Sequence, residues 1–345
     1  MRNTIVQYKR ELEKELTDIL DFWIRNTIDN DNKGFYGKID NENNVYKEAA
    51  KGSVLNSRIL WSFSAAYNLT KNINYLHIAE RAFEYIKNYF IDREFGGVYW
   101  SVDYKGRPLD TKKQIYALSF AVYGLSEYYC CSKNKEAQIL AIELYKTIVE
   151  YSYDNIKGGY FEAFTRDWKD IDNMRLSSKD ANEKKSMNTH LHVLEGFANL
   201  YLFWPDKGLL EKTTELITIF FDRIIDKETN HLMLFFDEEW RSKSTLVSYG
   251  HDIEAAWLIQ EAAEIINNAA LLKEAKLQAL KIANAASEGL DKDGGLWYEY
   301  EANDNHLIKE KHSWPQAESM VGFFNAWQIT GDETYLDKSL NSWRF

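Results

Sequence analysis

A short aromatic phrase returns five times along this chain, and its spacing narrows the possible folds more than any other feature. It reads Asp31-Asn-Lys-Gly-Phe-Tyr-Gly37, then Phe95-Gly-Gly-Val-Tyr-Trp100, then Gly158-Gly-Tyr-Phe-Glu-Ala-Phe164. It returns in altered form as Asn230-His-Leu-Met-Leu-Phe-Phe236 and cleanly as Asp293-Gly-Gly-Leu-Trp-Tyr-Glu299. With Gly34, Gly97, Gly159, His231 and Gly295 as markers, the intervals are 63, 62, 72 and 64 residues. A fixed period of this size marks a repeated supersecondary unit. Each phrase is a turn followed by a short alternating aromatic stretch, the pattern of a β-turn with a stub of strand.

Between phrases lie pairs of helical patterns, with apolar residues at i, i+3, i+4 and i+7. The pairs are Ser53–Leu69 with Tyr75–Phe90, Ile115–Tyr129 with Glu136–Tyr151, and Asn188–Phe203 with Leu209–Ile225. His251–Ile265 with Leu271–Ala286, and Gln316–Ile329 with Thr334 onward, complete the series behind a leading helix over Met1–Arg25. Only three prolines occur in the chain, which leaves the long helices uninterrupted. Stacked hairpins bury a core only between neighbours, so an array must be capped or closed. A ring of six hairpins needs twelve helices, whereas eleven are read here. The expectation is an all-α ring of hairpins in one domain over 1–345, lacking its last helix and about one repeat at the C-terminal end. An open solenoid is the alternative.

Composition removes several classes. With 42 basic and 53 acidic residues, the net charge is −11, which repels phosphate backbones and disfavours nucleic acid as a partner. No apolar run approaches the ~18–20 residues of a membrane span, and Met1–Tyr8 has no signal-peptide core. The chain reads as cytoplasmic and not membrane-bound. Cys130 and Cys131 are adjacent, a spacing that suits neither a metal nor a redox pair. The 11 Trp, 22 Tyr and 18 Phe suit a large core, or a cleft that holds the C–H faces of a sugar.

Three of the seven histidines sit in two polar clusters at helix starts. In Met187-Asn-Thr-His-Leu-His-Val-Leu-Glu195, the residues Asn188, His192 and Glu195 share one helical face. His190 lies about 200° round the helix from His192 and points elsewhere. In Ser248-Tyr-Gly-His-Asp-Ile-Glu-Ala-Ala-Trp257, His251 and Glu254 share a face that Asp252 does not join. Neither cluster has the HExxH zinc spacing, and no metal or cofactor is expected. Arg58, Tyr116 and the run Trp314-Pro-Gln-Ala-Glu318 occupy the same position in their own repeats. In a ring, such positions converge on one mouth. A histidine is a good acid or base near neutral pH, and arginine is a fixed cation suited to an enediolate. No Ser or Cys nucleophile motif and no phosphate-cradling loop is present.

The motifs around Arg58, Asn188–Glu195 and His251–Trp257, in that order, resemble those of the cellobiose 2-epimerases of the N-acylglucosamine 2-epimerase superfamily. The resemblance runs from about Tyr8 to the C-terminus. It implies an (α/α)6 barrel and cofactor-free, metal-independent epimerisation at C2 of the reducing-end glucose of β-1,4-linked disaccharides. Cellobiose would give glucosyl-mannose, and lactose epilactose, through ring opening and a cis-enediolate. His251 matches one of two acid/base histidines. His192 and Arg58 match groups that bind the O1/O2 region, and Glu254 matches the carboxylate that orients the site. Asn188, Tyr116, Trp314 and Glu318 match substrate-contacting positions. The relatives imply a monomer.

Two positions depart from the family pattern. Ser313-Trp314-Pro315 stands where the family has a double Trp, and no histidine follows His312 to match the second acid/base group. The resemblance therefore implies little activity for this chain as it ends. An aldose–ketose isomerase using the same enediolate, a glycosidase using carboxylates among Glu254, Glu318 and Asp252, and a non-catalytic sugar-binding protein remain open.

Overall fold

The computed structural model describes residues 2–345, so Met1, the expected start of the leading helix, lies outside the described residues. Among the described residues there are eleven α-helices. They are α1 (Arg2–Asn26), α2 (Ser53–Thr70), α3 (Ile73–Tyr85), α4 (Ile115–Ser132), α5 (Lys135–Tyr151) and α6 (Met187–Tyr201), followed by α7 (Lys207–Ile219), α8 (Tyr249–Ile265), α9 (Ala269–Ala286), α10 (Ser313–Thr330) and α11 (Glu333–Arg344). The helical periodicity found all eleven, with ends displaced by one to three residues at most starts. The larger difference is at the ends of α3 and α7. Expected α-helix over 86–90 and 220–224 is instead one turn of π-helix, Ile86–Phe90 and Phe220–Ile224. In both, the wide turn buries its phenylalanines (Phe90; Phe220, Phe221) just before the chain enters a phrase.

The chain folds into two compact units. One runs through Tyr151 and includes Ala163–Asp172; the other is Ser152–Glu162 with Asn173–Phe345. In the first unit α2 packs on α3, α4 on α5, and α2 on α4. In the second, α6 packs on α7, α8 on α9 and α10 on α11, while α6 and α10 both pack on α8. Three first helices, α4, α6 and α8, are buried on nearly all sides, as in α4, where Ile115, Ala117, Leu118, Phe120, Ala121 and Val122 are all inaccessible or nearly so. A helix apolar all round belongs in a core between layers. Among the described residues, no helix is long and apolar enough to cross a membrane.

Each of the five phrases closes one β-bridge: Ile28 with Phe35, Ile91 with Val98, Tyr153 with Tyr160, Ile225 with Leu232, and Leu290 with Leu296. An aspartate leads each turn. Asp29, Asp92, Asp154 and Asp226 accept two backbone N–H bonds from the residues that follow. The residues just before a helix then pair with the strand that follows the next phrase. Lys51–Gly52 pairs with Ser101–Val102, Lys113–Gln114 with Ala163–Phe164, and Lys185–Ser186 with Phe235–Phe236. Leu246–Ser248 pairs likewise with Glu299–Glu301. These short ladders fix where every first helix begins, and so aim its opening residues.

A lysine two residues before the helix clasps each turn except the fourth. Lys51 binds Asp29 at 2.8 Å, Lys113 binds Asp92 at 2.8 Å and Lys185 binds Asp154 at 2.7 Å, all buried. Lys311 binds Asp291 at 2.7 Å in a more open setting. In the fourth repeat Val247 takes the lysine's place. There His231 Nδ1 meets Asp252 Oδ2 at 2.7 Å, and Asp252 Oδ1 accepts the Leu232 N–H at 2.8 Å. Asp252 is thereby committed to holding its turn, which removes it from the carboxylates considered for glycosidase chemistry.

Candidate active site

The long third interval has its cause in the segment between the third phrase and α6. That segment carries the extra residues, and its part over 174–183 walls a cavity of about 320 Å³ in the second unit. The opposite walls are the start of α6, the start of α8 and the hairpin at Glu299–Glu301 and His306–Ile308. His251 and Asn188 line this cavity, together with Glu162, Tyr298 and Glu299.

His251 is the third residue of α8. Its Nδ1 lies 2.8 Å from Ser248 Oγ, which fixes the ring and leaves Nε2 as the proton acceptor when Nδ1 donates. Its ring sits 4.8 Å from that of Trp314, tilted by 54°. Gly250 permits this approach, because a Cβ there would stand 2.6 Å from Trp314 Cη2. Burial, and secondarily the nearby His192, push the His251 pKa down to about 3. The imidazole is therefore neutral at pH 7, which is the form that removes a proton.

His192 is held from both sides. Its Nδ1 lies 2.9 Å from Glu195 Oε2, one turn along α6, and its Nε2 is 3.8 Å from Glu254 Oε1 on α8. A carboxylate only accepts, so Nδ1 carries a hydrogen toward Glu195. Glu254 is 8% exposed and faces His192 from the helix that bears His251. His192, Glu254, His251 and Trp314 thus form one cluster where α8 meets α6 and α10.

Glu318, expected to touch substrate, accepts the Trp257 Nε1–H at 2.8 Å and so braces α10 against α8. His190, expected to point away from His192, is inaccessible. Its Nδ1–H donates to Ser186 O at 2.6 Å, and its Nε2 accepts the Tyr160 N–H at 2.8 Å. Gly159, at φ +80°, makes room for that contact, since a Cβ there would stand 2.6 Å from His190 Nε2. Gln316 does the same for Leu296 in the fifth repeat. The fourth residue of these helices is a bolt to the preceding phrase.

In the first unit, Arg58 is exposed at the start of α2. Its Nη2 is 3.5 Å from Tyr116 Oη, and its guanidinium lies 4.4 Å from the centre of the Phe120 ring. Arg58 and Tyr116 therefore form a pair, as their shared repeat position suggests.

Sequence reasoning did not single out Ser248, Tyr298, Glu299 or Glu162. Glu299 has its pKa raised to about 7, chiefly by burial, with Lys179 opposing and Asp180 adding to the rise. Tyr298 stacks on His312 at 4.1 Å. The signal for both was their place at the end of the fifth phrase, Trp297-Tyr-Glu299, where a ring and a carboxylate follow the turn.

Comparison with known proteins decides the family. Residues 34–345 match the family model described as N-acylglucosamine 2-epimerase (GlcNAc 2-epimerase). The chain belongs to the N-acylglucosamine 2-epimerase family. A cellobiose 2-epimerase from Bacteroides fragilis is 49% identical over 98% of this chain and 86% of its own length. One from Ruminococcus albus is 38% identical over 96% of this chain and 85% of its own. The solved cellobiose 2-epimerase of Bacillus thermoamylovorans B4167 superposes with a TM-score of 0.92 at 39% identity, covering 100% of this chain and 87% of that one. Like its family, the chain is an isomerase, and its fold class is the (α/α)6 barrel.

Proposed function

We propose that this chain epimerises C2 of the reducing-end glucose of β-1,4-linked disaccharides, turning cellobiose into glucosyl-mannose and lactose into epilactose. The observation that carries the reading is His251: a neutral imidazole, oriented by Ser248, on the wall of a cavity and against Trp314. In the open-chain sugar the C2 proton is weakly acidic, because the adjacent carbonyl spreads the charge. His251 Nε2 takes that proton and yields a cis-enediolate. Return of a proton to the opposite face, the part that the resemblance gives to a second acid/base histidine, completes the epimer.

A base alone is insufficient, since charge develops on O1 and O2 and must be met by donors already in place. His192, poised between Glu195 and Glu254, and Arg58 are assigned that task. Glu254 orients His192. Asn188 contributes an amide at the cavity wall, Trp314 a ring for a sugar face, and Tyr116 a hydroxyl beside Arg58. The same reading takes the chain as one catalytic domain, a monomer of the cytoplasm that needs no metal, on the strength of the resemblance and the composition.

The test is incubation with cellobiose, with products resolved by chromatography. Glucosyl-mannose supports the reading. A glucosyl-fructose product would move the chain to aldose–ketose isomerisation, which shares the enediolate and differs in where the proton returns.

A further inference from the structure

His192 stands between two acceptors. Its side chain and those of Glu195 and Glu254 are at most 11% exposed. A neutral imidazole has one N–H and one bare nitrogen. The Nδ1–H is spent on Glu195 Oε2 at 2.9 Å. A neutral ring would then turn the lone pair of Nε2 toward Glu254 Oε1, 3.8 Å away, and set it against an anion. A second proton, on Nε2, turns that repulsion into attraction. It also gives two nearly buried carboxylates a shared counter-ion, and an uncompensated charge is costly in such a place. The other charged groups on the neighbouring elements are engaged elsewhere. On α7, Lys207 pairs with Glu211 and Lys212 with Glu215; Lys185, just before α6, is held by Asp154. Glu162 takes the Thr189 hydroxyl hydrogen, and Asp252, on α8, holds His231. That leaves His251, whose affinity for a proton is lowered first by burial and then by His192. A cation at His192 accords with that neutral neighbour.

We propose that Glu195 is a positioning residue which, together with Glu254, holds His192 as an imidazolium at neutral pH. The Nε2–H of that cation is the hydrogen that the O1/O2 region of the sugar shares with Glu254 as negative charge develops. The inference rests on the sugar reading above, which assigns His192 to the oxyanion and says nothing of its charge. The charge matters to that task. A neutral His192 that spends its one N–H on Glu195 has no hydrogen to offer at Nε2. An ionised donor also makes a hydrogen bond roughly twice as strong as a neutral one. No proton leaves His192 in this step; it donates a hydrogen bond and keeps its charge. The site then holds two histidines in opposite states, a neutral base on α8 and a cationic donor on α6. Their surroundings set them apart, a hydroxyl and an indole around His251 and two carboxylates around His192.

Two measurements test this on the full chain. Nitrogen-15 NMR with labelled histidine, assigned by loss of one pair of ring signals in His192→Gln, reads the charge directly and needs no substrate. Both His192 nitrogens should carry hydrogen at about pH 7.5, roughly one unit above the ordinary histidine midpoint of about 6.5, and Glu195→Gln should lower the midpoint. A neutral His192 at that pH in wild type, or a midpoint that Glu195→Gln leaves in place, would overturn the proposal. Kinetics with cellobiose then compare wild type with a Glu195→Gln chain whose fold is checked by circular dichroism. Gln keeps the shape of the site and an acceptor for Nδ1–H and removes only the charge, so a merely structural Glu195 would tolerate it. The expected result is a kcat lower by about tenfold or more, a KM within about threefold, and an alkaline limb of kcat moved to lower pH. An unchanged kcat with an unmoved alkaline limb would sink the proposal. If wild type turns over no cellobiose, that failure belongs to the substrate reading, and the NMR titration alone decides whether Glu195 holds a cation.

Discussion

The His251 ring rests 4.8 Å from the Trp314 ring, and the residue that makes this possible is the glycine directly before the histidine. One side of the imidazole is thus closed by an indole, and its Nδ1 is tied to Ser248. Burial in that setting is what keeps the base uncharged.

Removing the base should stop the chemistry while sparing binding. His251→Asn is expected to lower kcat by about 10²–10⁴-fold, with KM changed far less. Because the folded pKa is depressed to about 3, the base stays unprotonated as pH falls through the usual histidine range. The acid limb of kcat/KM should therefore lie well below pH 6.5. An acid limb centred at 6.5 in the wild-type profile would show that His251 is solvated in the working protein.

Gly250→Ala puts a methyl group 2.6 Å from Trp314 Cη2 and 3.0 Å from Pro315 Cβ. Trp314 must then move off His251. Overpacking of this kind costs about 1–3 kcal/mol. A fall in kcat/KM of at least about tenfold should accompany a lower thermal midpoint. Unchanged kinetics in a folded Gly250→Ala protein would separate the indole from the reaction.

His190 should prove structural. Its two ring nitrogens join Ser186 O to the Tyr160 N–H, so His190→Phe leaves the buried Tyr160 N–H unpaired, at about 1–3 kcal/mol, and takes a second bond from the Ser186 carbonyl, which as N-cap keeps its helical one. The kcat of the folded fraction should stay within about threefold of wild type. Its pKa is lowered to about 4 by burial. The sign follows: below the unfolded value of about 6.5 the unfolded chain binds a proton that the folded one refuses. The His190 contribution is therefore intact above pH 6.5 and lost as pH falls toward 4, on the order of 3 kcal/mol in all. Urea midpoints from pH 7 to pH 4 should fall less steeply in His190→Phe.

The lysine clasps should differ by burial. Lys185→Met strands Asp154 without its counter-ion in a fully buried site and should cost about 3–5 kcal/mol in urea unfolding. Lys311→Met acts where Asp291 is 32% exposed and should cost about 1 kcal/mol or less. Equal losses would mean that burial does not set the strength of these pairs.

Helix positions were legible because apolar periodicity survives in every hairpin, and the phrases were legible because turn residues and rings are local signals. The clasps were not, although Lys51, Lys113, Lys185 and Lys311 each stand two residues before a helix. A lone lysine in sequence looks like a solvated charge, and only the fold shows its aspartate about twenty to thirty residues upstream. The meeting of His251 with Trp314 followed from their shared place in the repeat, and the common face of His192 and Glu195 from helical spacing. Glu318 holds the same position in its repeat as Glu254, and its bond to the Trp257 indole was not legible, because nothing in the sequence pairs the two residues. Glu162 and Glu299 were passed over because buried carboxylates cannot be told from surface ones without the cavity that encloses them.

The most direct test of His251 as the base is proton NMR of cellobiose incubated with the chain in D₂O, watching the reducing-end C2 position. Deuterium should enter C2 at a protein-dependent rate, with a mannose-type anomeric signal growing alongside, and His251→Asn should lose both. No exchange at C2 while cellobiose demonstrably binds would contradict proton removal by His251 and leave a sugar-binding protein in its place.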